Sequence, residues 1–292
     1  TGSAVASAFY EKPNVEVIVL YPKGRVSPRQ EKQLTCWGRN VWTYAVEGDF
    51  DDCQRLVKEA FADDRWRQEL RLSSANSINI GRLLPQMTYY AAATCWYVSR
   101  HGARPNFVVP SGNLGNVLAC LYTREMGLPI GRVVLATNEN KPVTEYLRTG
   151  DWKAFETVET LANAMDVGDP SNMERIRHHW PDIEVLREKI SAYQVEDDEI
   201  VEQIKSGPDR WGEVWDPHTA CAVAVRETFD SPHWVVVATA HPAKFDEVVE
   251  PILEHEVSVP DALARLLERP THVETIPARL DALQSAIEDR ER

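Results

Sequence analysis

The chain has 292 residues, 43% of them hydrophobic, with 32 lysine plus arginine against 45 aspartate plus glutamate and a formal net charge of −13. That length and apolar content suit two domains, or one large one, around a true core. The negative balance excludes a chain built to hold nucleic acid or an anionic membrane face. The longest apolar runs, near residues 15–21 and 234–240, are too short to span a bilayer, and no basic-then-apolar leader precedes them, so the cytoplasm is the expected location.

The five cysteines, Cys36, Cys53, Cys95, Cys120 and Cys221, are widely spaced. They form no CxxC pair or Cys/His cluster suited to a metal, and an odd count argues against a disulfide framework; reduced, mostly buried thiols are expected. The chain opens at Thr1-Gly2 without a methionine and runs straight into Ala4, Val5, Ala6 and Ala8, which reads as the first turns of a helix that has lost its preceding loop.

In chain order the pattern then alternates. Residues 15–21 (VEVIVLY) predict a strand, and Ser27-Pro28 followed by Glu31 opens a helix with capping-box spacing. Residues 40–46 predict a second strand, 50–62 an amphipathic helix and 70–74 a third strand. Residues 83–99, crowded with alanine and aromatics, predict an interior helix. Residues 107–110 predict a strand, 111–115 a glycine-rich turn, a helix follows from about Asn116, and 133–137 is another strand. This repeated unit implies a parallel sheet with helices on both faces, with ligands beyond the carboxyl ends of the strands. Further on, Pro170, Ser171 and Glu174 predict a capped helix start, and 174–205 reads as solvated helices. Asp216 opens an apolar helix over 220–225, residues 234–240 predict a buried strand, and the chain from Phe245 onward reads as helical.

Four segments carry chemistry. VPSGNLGN (residues 109–116) lies between a strand and a helix, where glycines let backbone N–H groups turn inward and the helix N-terminus adds partial positive charge, an arrangement suited to a phosphate. A turn needing two glycines for steric reasons alone looks the same. SSANSINIGR (73–82) concentrates short hydrogen-bonding side chains and ends in Arg82, whose planar fork suits phosphate or carboxylate; a polar surface loop is the plain alternative. ATAHPAKF (238–245) follows a strand and sets Thr239 at its end, while His241 is read as satisfying a backbone group. Thr1-Gly2, at a helix start, is another possible anion site.

In order and context these segments resemble threonine synthase, as do TLANAMDVGDPSNMER (160–175) and DPHTA (216–220). The similarity spans essentially the whole chain. It implies an α/β, tryptophan-synthase-β-like pyridoxal 5'-phosphate (PLP) fold of type II: parallel sheets with helices on both faces in two domains, the N-terminal part missing, with 1–77 the remainder of the smaller inserted domain and 78–292 the larger, PLP-binding one. By the same resemblance Gly112, Asn113, Leu114 and Gly115 cradle the cofactor phosphate and Thr239 meets its ring nitrogen. Thr1, Ser77, Arg82 and Asn116 match positions around the substrate. The implied activity is that of a carbon–oxygen lyase acting on phosphates in threonine biosynthesis, converting O-phospho-L-homoserine and water to L-threonine and phosphate. The resemblance also implies that the Schiff-base lysine lies upstream of Thr1, since no lysine here, Lys244 included, has the family's Phe-Lys-Asp context. A related type II dehydratase or phospho-lyase, and a catalytically silent protein of the same fold, are the alternatives. No metal, nucleic-acid or membrane partner is expected.

Overall fold

The computed structural model describes residues 2–289. Seven strands occur among them: β1 (Val17–Pro22), β2 (Val41–Glu47), β3 (Asn106–Pro110), β4 (Val133–Thr137), β5 (Ile190–Gln194), β6 (Trp234–Val236) and β7 (Glu274–Pro277). They form two sheets, ordered β1-β2-β7 and β5-β4-β3-β6, and every pairing is parallel. Parallel pairing requires crossover connections, and helices supply them.

The chain divides into two compact units, residues 1–74 with 259–292, and residues 75–258. The expected division at 77/78 falls close to the first of these boundaries. It placed 259–292 with the later domain, whereas β7 and the Leu280–Glu288 helix pack with the first unit: Val46 pairs with Ile276, and Tyr44, Leu56, Trp66, Ile276, Leu283 and Ile287 share one cluster.

In the first unit the strand period of two sorts side chains to opposite faces. Val17 and Val19 pack with Val5, Ala6 and Trp37, while Ile18 and Leu20 pack against the Leu56 and Trp66 cluster. The Pro28–Thr35 helix starts as expected at Ser27, whose hydroxyl accepts from the Gln30 N–H at 3.2 Å. Glu31 does not close a capping box; it accepts from the Tyr21 hydroxyl at 2.6 Å. The expected strand at 70–74 does not form. Leu70 caps the Asp64–Glu69 helix, Arg71 takes φ 50°, and the N–H groups of Leu72 and Arg71 donate to Arg67 and Gln68. This Schellman closure consumes the donors a strand would need.

In the second unit Phe107, Val109, Val133 and Leu135 point into a core shared with Leu83, Tyr90, Leu118, Leu121 and Ile176. The opposite face is covered by the Pro217–Glu227 helix, which packs on β3 and β4 and donates the Cys221 thiol to the Thr137 carbonyl. The interior helix runs over Ile80–His101 and ends on the left-handed Gly102. β6 is shorter than the expected 234–240: after Val237, whose N–H still reaches the Val108 carbonyl, the backbone leaves the sheet. At the Met173–His179 helix the expected cap is replaced as well. Asn172 occupies the N-cap position without a side-chain cap bond, its amide being taken up by Asn113 and Arg175, and the Ser171 hydroxyl donates to Asn113 instead of capping. All five cysteines are free, and all but Cys95 are buried.

Leu118 is fully buried between β3 and the interior helix. Leu118→Ala is expected to lower stability by about 2–5 kcal/mol, read as a lower urea midpoint at unchanged slope.

Candidate active site

Leaving β3, the Ser111 N–H makes one more ladder bond, to Ala136 at 3.1 Å, and the chain then turns sharply into the Gly115–Glu125 helix. The turn closes on Leu114 at φ 63°, with its N–H held 3.1 Å from the Ser111 hydroxyl. A left-handed leucine is strained; its side chain is wholly buried in the core, which offsets the cost. Among the described residues the amide N–H groups of Gly112, Asn113, Gly115 and Asn116 meet no acceptor. Four unpaired donors at the start of an eleven-residue helix form an anion cradle. The glycines are required sterically: a Cβ on Gly112 would lie 2.6 Å from Met165 Cα, and one on Gly115 3.0 Å from Ser77 Cβ.

Side chains of three segments lock this turn. The Asn113 amide donates to the Ser77 hydroxyl at 2.8 Å, and its oxygen accepts from the Ser171 N–H and hydroxyl at 2.7 and 2.9 Å. Asn172, fully buried, donates to the Asn113 carbonyl at 2.9 Å. Arg175 then joins the Asn172 oxygen, at 2.8 Å, to the Ile78 carbonyl. The result is a closed polar ring that ties residues 77–78 and the start of the Met173–His179 helix to this glycine-bearing turn. Arg82 follows on the first turn of the Ile80–His101 helix, and its guanidinium has no partner among the described residues.

A loop at 158–168 lies over the turn and is anchored to the carboxyl end of β4. Buried Asn138 donates to Thr160, Ala162 and Asp166 at 2.8, 3.3 and 2.7 Å, and buried Asn140 exchanges bonds with Val158. Burial raises the Asp166 carboxyl above its ordinary range, while hydrogen bonds from Thr160 and Asn138 oppose the shift. The folded state therefore binds this proton more readily than the unfolded chain does.

At the far end of the site Thr239 is exposed, and its hydroxyl has no partner among the described residues. Its N–H donates to the Thr219 hydroxyl at 3.3 Å. Thr219 and His218 are in turn held by Asp216, and His218 Nε2 accepts from Ala164 at 3.0 Å. His241 behaves as expected, its Nδ1 accepting from the Ala243 N–H at 3.1 Å. Burial lowers the Lys244 amine, with Asp216 pulling the other way.

The second unit thus brings together Ser77, Gly112, Asn113, Leu114 and Gly115. The side chains of Asn113 and Leu114 face the protein, so these residues can serve an anion only through their backbones. The Asn116 amide is likewise turned back, donating to the Pro110 carbonyl at 2.8 Å and accepting from Val117. Thr1 lies outside the described residues. Sequence reasoning gave no place in the site to Asn172, Ser171, Arg175, Asp216, His218 or Thr219, reading Ser171 and Asp216 only as helix starts. The available signal was the density of short polar residues in 160–175 and 216–219.

A model of the family described as pyridoxal-phosphate dependent enzyme matches residues 1–240, and one described as threonine synthase, C-terminal, matches 219–287. The chain is 42% identical to threonine synthase of Escherichia coli and 41% identical to that of Serratia marcescens, in each case over 97% of its own length. It belongs to the threonine synthase family of pyridoxal-phosphate dependent enzymes. A PLP-bound threonine synthase from Brucella melitensis superposes with a TM-score of 0.91 at 32% identity, covering 100% of this chain and 68% of that one. The type II fold expected from the motifs is the fold observed. The chain spans about two thirds of the length of these relatives, 66% and 67% for the two bacterial sequences. No helix among the described residues is long and apolar enough to cross a membrane, and none of their acidic, histidine and cysteine side chains form a metal-binding group.

The residues present fit PLP. An anion cradle of unpaired amides stands at one end, a glycine that admits no side chain lies beneath the 162–165 loop, and a free neutral hydroxyl stands at the other end.

Two outcomes follow. Gly112→Val is expected to displace the 162–165 loop and weaken binding of inorganic phosphate by about tenfold or more, measured by calorimetry. For Asp166, stability should be fully present below the unfolded carboxyl pKa of about 4 and decline as pH rises through the raised folded value. The stability difference between the unsubstituted chain and Asp166→Asn, measured in urea across pH 3–8, should therefore fall with rising pH over that window.

Proposed function

We propose that the protein carries the cofactor and substrate pocket of a threonine synthase, which converts O-phospho-L-homoserine and water to L-threonine and phosphate. The observation that carries this reading is the polar ring from Ser77 through Asn113 and Asn172 to Arg175. It fixes the segment bearing Arg82, which has no side-chain partner among the described residues, to the turn whose amides suit a phosphate. An enzyme of this family acting on serine alone has no need of a second anion-binding arm there.

When bound, PLP supplies an electron sink for carbanion chemistry at the substrate's α and β carbons. The chain's own residues do the rest. Amides of Gly112, Asn113, Gly115 and Asn116 would hold the cofactor phosphate, with the helix N-terminus behind them. The Thr239 hydroxyl would meet the ring nitrogen as a neutral partner, which favours a full positive charge there less than a carboxylate would. Ser77 and Arg82 hold the substrate's phosphate, and Arg82 neutralises the charge that grows as phosphate leaves.

The Schiff-base lysine of the reaction is, in this reading, none of the chain's lysines. Lys244 is the natural rival because its lowered pKa leaves more free amine at neutral pH. Incubation with PLP followed by borohydride and peptide mapping should give no stoichiometric adduct; a full adduct on Lys244 would overturn this assignment. For the substrate, O-phospho-L-homoserine should bind in the presence of PLP about tenfold or more tightly than L-serine, and Arg82→Ala should abolish the difference. Equal binding of the two amino acids by the unsubstituted chain would reject the proposed substrate class.

A further inference from the structure

Asp216 is 1% exposed, and among the described residues no lysine or arginine forms an ion pair with it. Its two oxygens nonetheless collect three donors. Oδ1 accepts from the His218 N–H at 3.0 Å and from His218 Nδ1 at 2.8 Å, and Oδ2 accepts from the Thr219 hydroxyl. A helix N-cap needs only the first of these bonds. The other two orient groups that reach outward.

An amide can only donate, so the Ala164 N–H facing His218 Nε2 requires a lone pair on that nitrogen. The ring proton is then on Nδ1, the tautomer that Asp216 accepts. Ala164 adjoins Met165, whose backbone closes over Gly112. On the other side, the Thr219 hydroxyl hydrogen is committed to Asp216, which leaves its oxygen lone pairs to accept the Thr239 N–H.

We propose that Asp216 is a positioning residue that sets both ends of the cofactor cleft from one buried carboxylate. Through His218 and Ala164 it holds the 162–165 loop against the phosphate turn, and through Thr219 it holds Thr239 where the ring nitrogen is met. The inference rests on the cofactor reading above. Neither Thr219 nor His218 needs to touch the cofactor; each transmits position.

Asparagine is as good an N-cap as aspartate, so Asp216→Asn separates capping from positioning. Its amide nitrogen cannot accept from Thr219, and the relay to Thr239 loses its fixed polarity. In ligand-free protein, Asp216→Asn is expected to speed hydrogen exchange of the Ala164 and Thr239 amides by about tenfold, with the Leu118 amide unchanged. It should weaken 4-deoxypyridoxine 5'-phosphate, an analogue without the reactive aldehyde, by about tenfold. Thr219→Val should weaken that analogue while leaving inorganic phosphate binding intact, and Thr219→Ser should restore it.

A folded Asp216→Asn whose two amides and analogue affinity stay within about twofold of the unsubstituted chain overturns the proposal and reduces Asp216 to a helix cap. Where Asp216→Asn does not fold, the Thr219 pair decides, and identical behaviour of the Val and Ser variants overturns it. Failure of the unsubstituted chain to bind either probe rejects the cofactor reading instead, and hydrogen exchange at the two amides then decides the positioning claim.

Discussion

Four backbone N–H groups that meet no acceptor among the described residues, at Gly112, Asn113, Gly115 and Asn116, set the terms for the rest of the second unit. Such donors demand a partner, and a turn that exposes them has little internal bonding to keep its shape. The neighbouring polar side chains are spent on that problem. Asn113 turns its amide inward to Ser77 and Ser171, Asn172 grips the Asn113 carbonyl, and the Asn116 amide returns to Pro110. The side chains hold the backbone so that the backbone can hold a ligand. An asparagine in a binding turn is therefore not itself evidence of a side-chain contact with the ligand.

The parallel sheet explains why the remaining parts converge. Every strand of the β5-β4-β3-β6 sheet runs the same way, so the ends of β3, β4 and β6 deliver Ser111, Asn138 and the 237–241 segment to one edge. Ligand sites of open α/β sheets form at that edge. Each end is then fixed by its own polar device: the Ser77–Arg175 ring at β3, the Asn138–Asp166 cluster at β4, and the Asp216 relay beside β6. The last two meet at the 162–165 loop, which links the turn after β3 to the segment bearing Thr239.

Buried polar groups of this kind are costly unless satisfied, and these are satisfied by one another. Asp166 shows the remaining tension: burial opposes its charge while Thr160 and Asn138 favour it. Lys244 shows the same for a cation. Both lie close to the site, where shifted ionisation is commonest.

The sequence alone determined the repeating strand–helix order, the glycine turn after β3, the interior helix and the ordered motifs that mark the threonine synthase family. Those features are written in local terms: apolar period, paired glycines between a strand and a helix, a cap residue before an apolar run. Where local signals competed, only tertiary structure decided. LRLSS at 70–74 reads as a strand, but no neighbouring strand offers it a ladder and the preceding helix takes its donors. ETIP at 274–277 carries almost no strand signal; it becomes β7 because β2, more than two hundred residues earlier, presents an open edge. The same holds for the site. Gly112 and Arg82 could be singled out as candidates because their chemistry is intrinsic to the residue. Asn172, Arg175, Asp216 and Thr219 acquire their roles only from partners brought near by folding, and a hydrogen bond between distant residues leaves no period in the sequence.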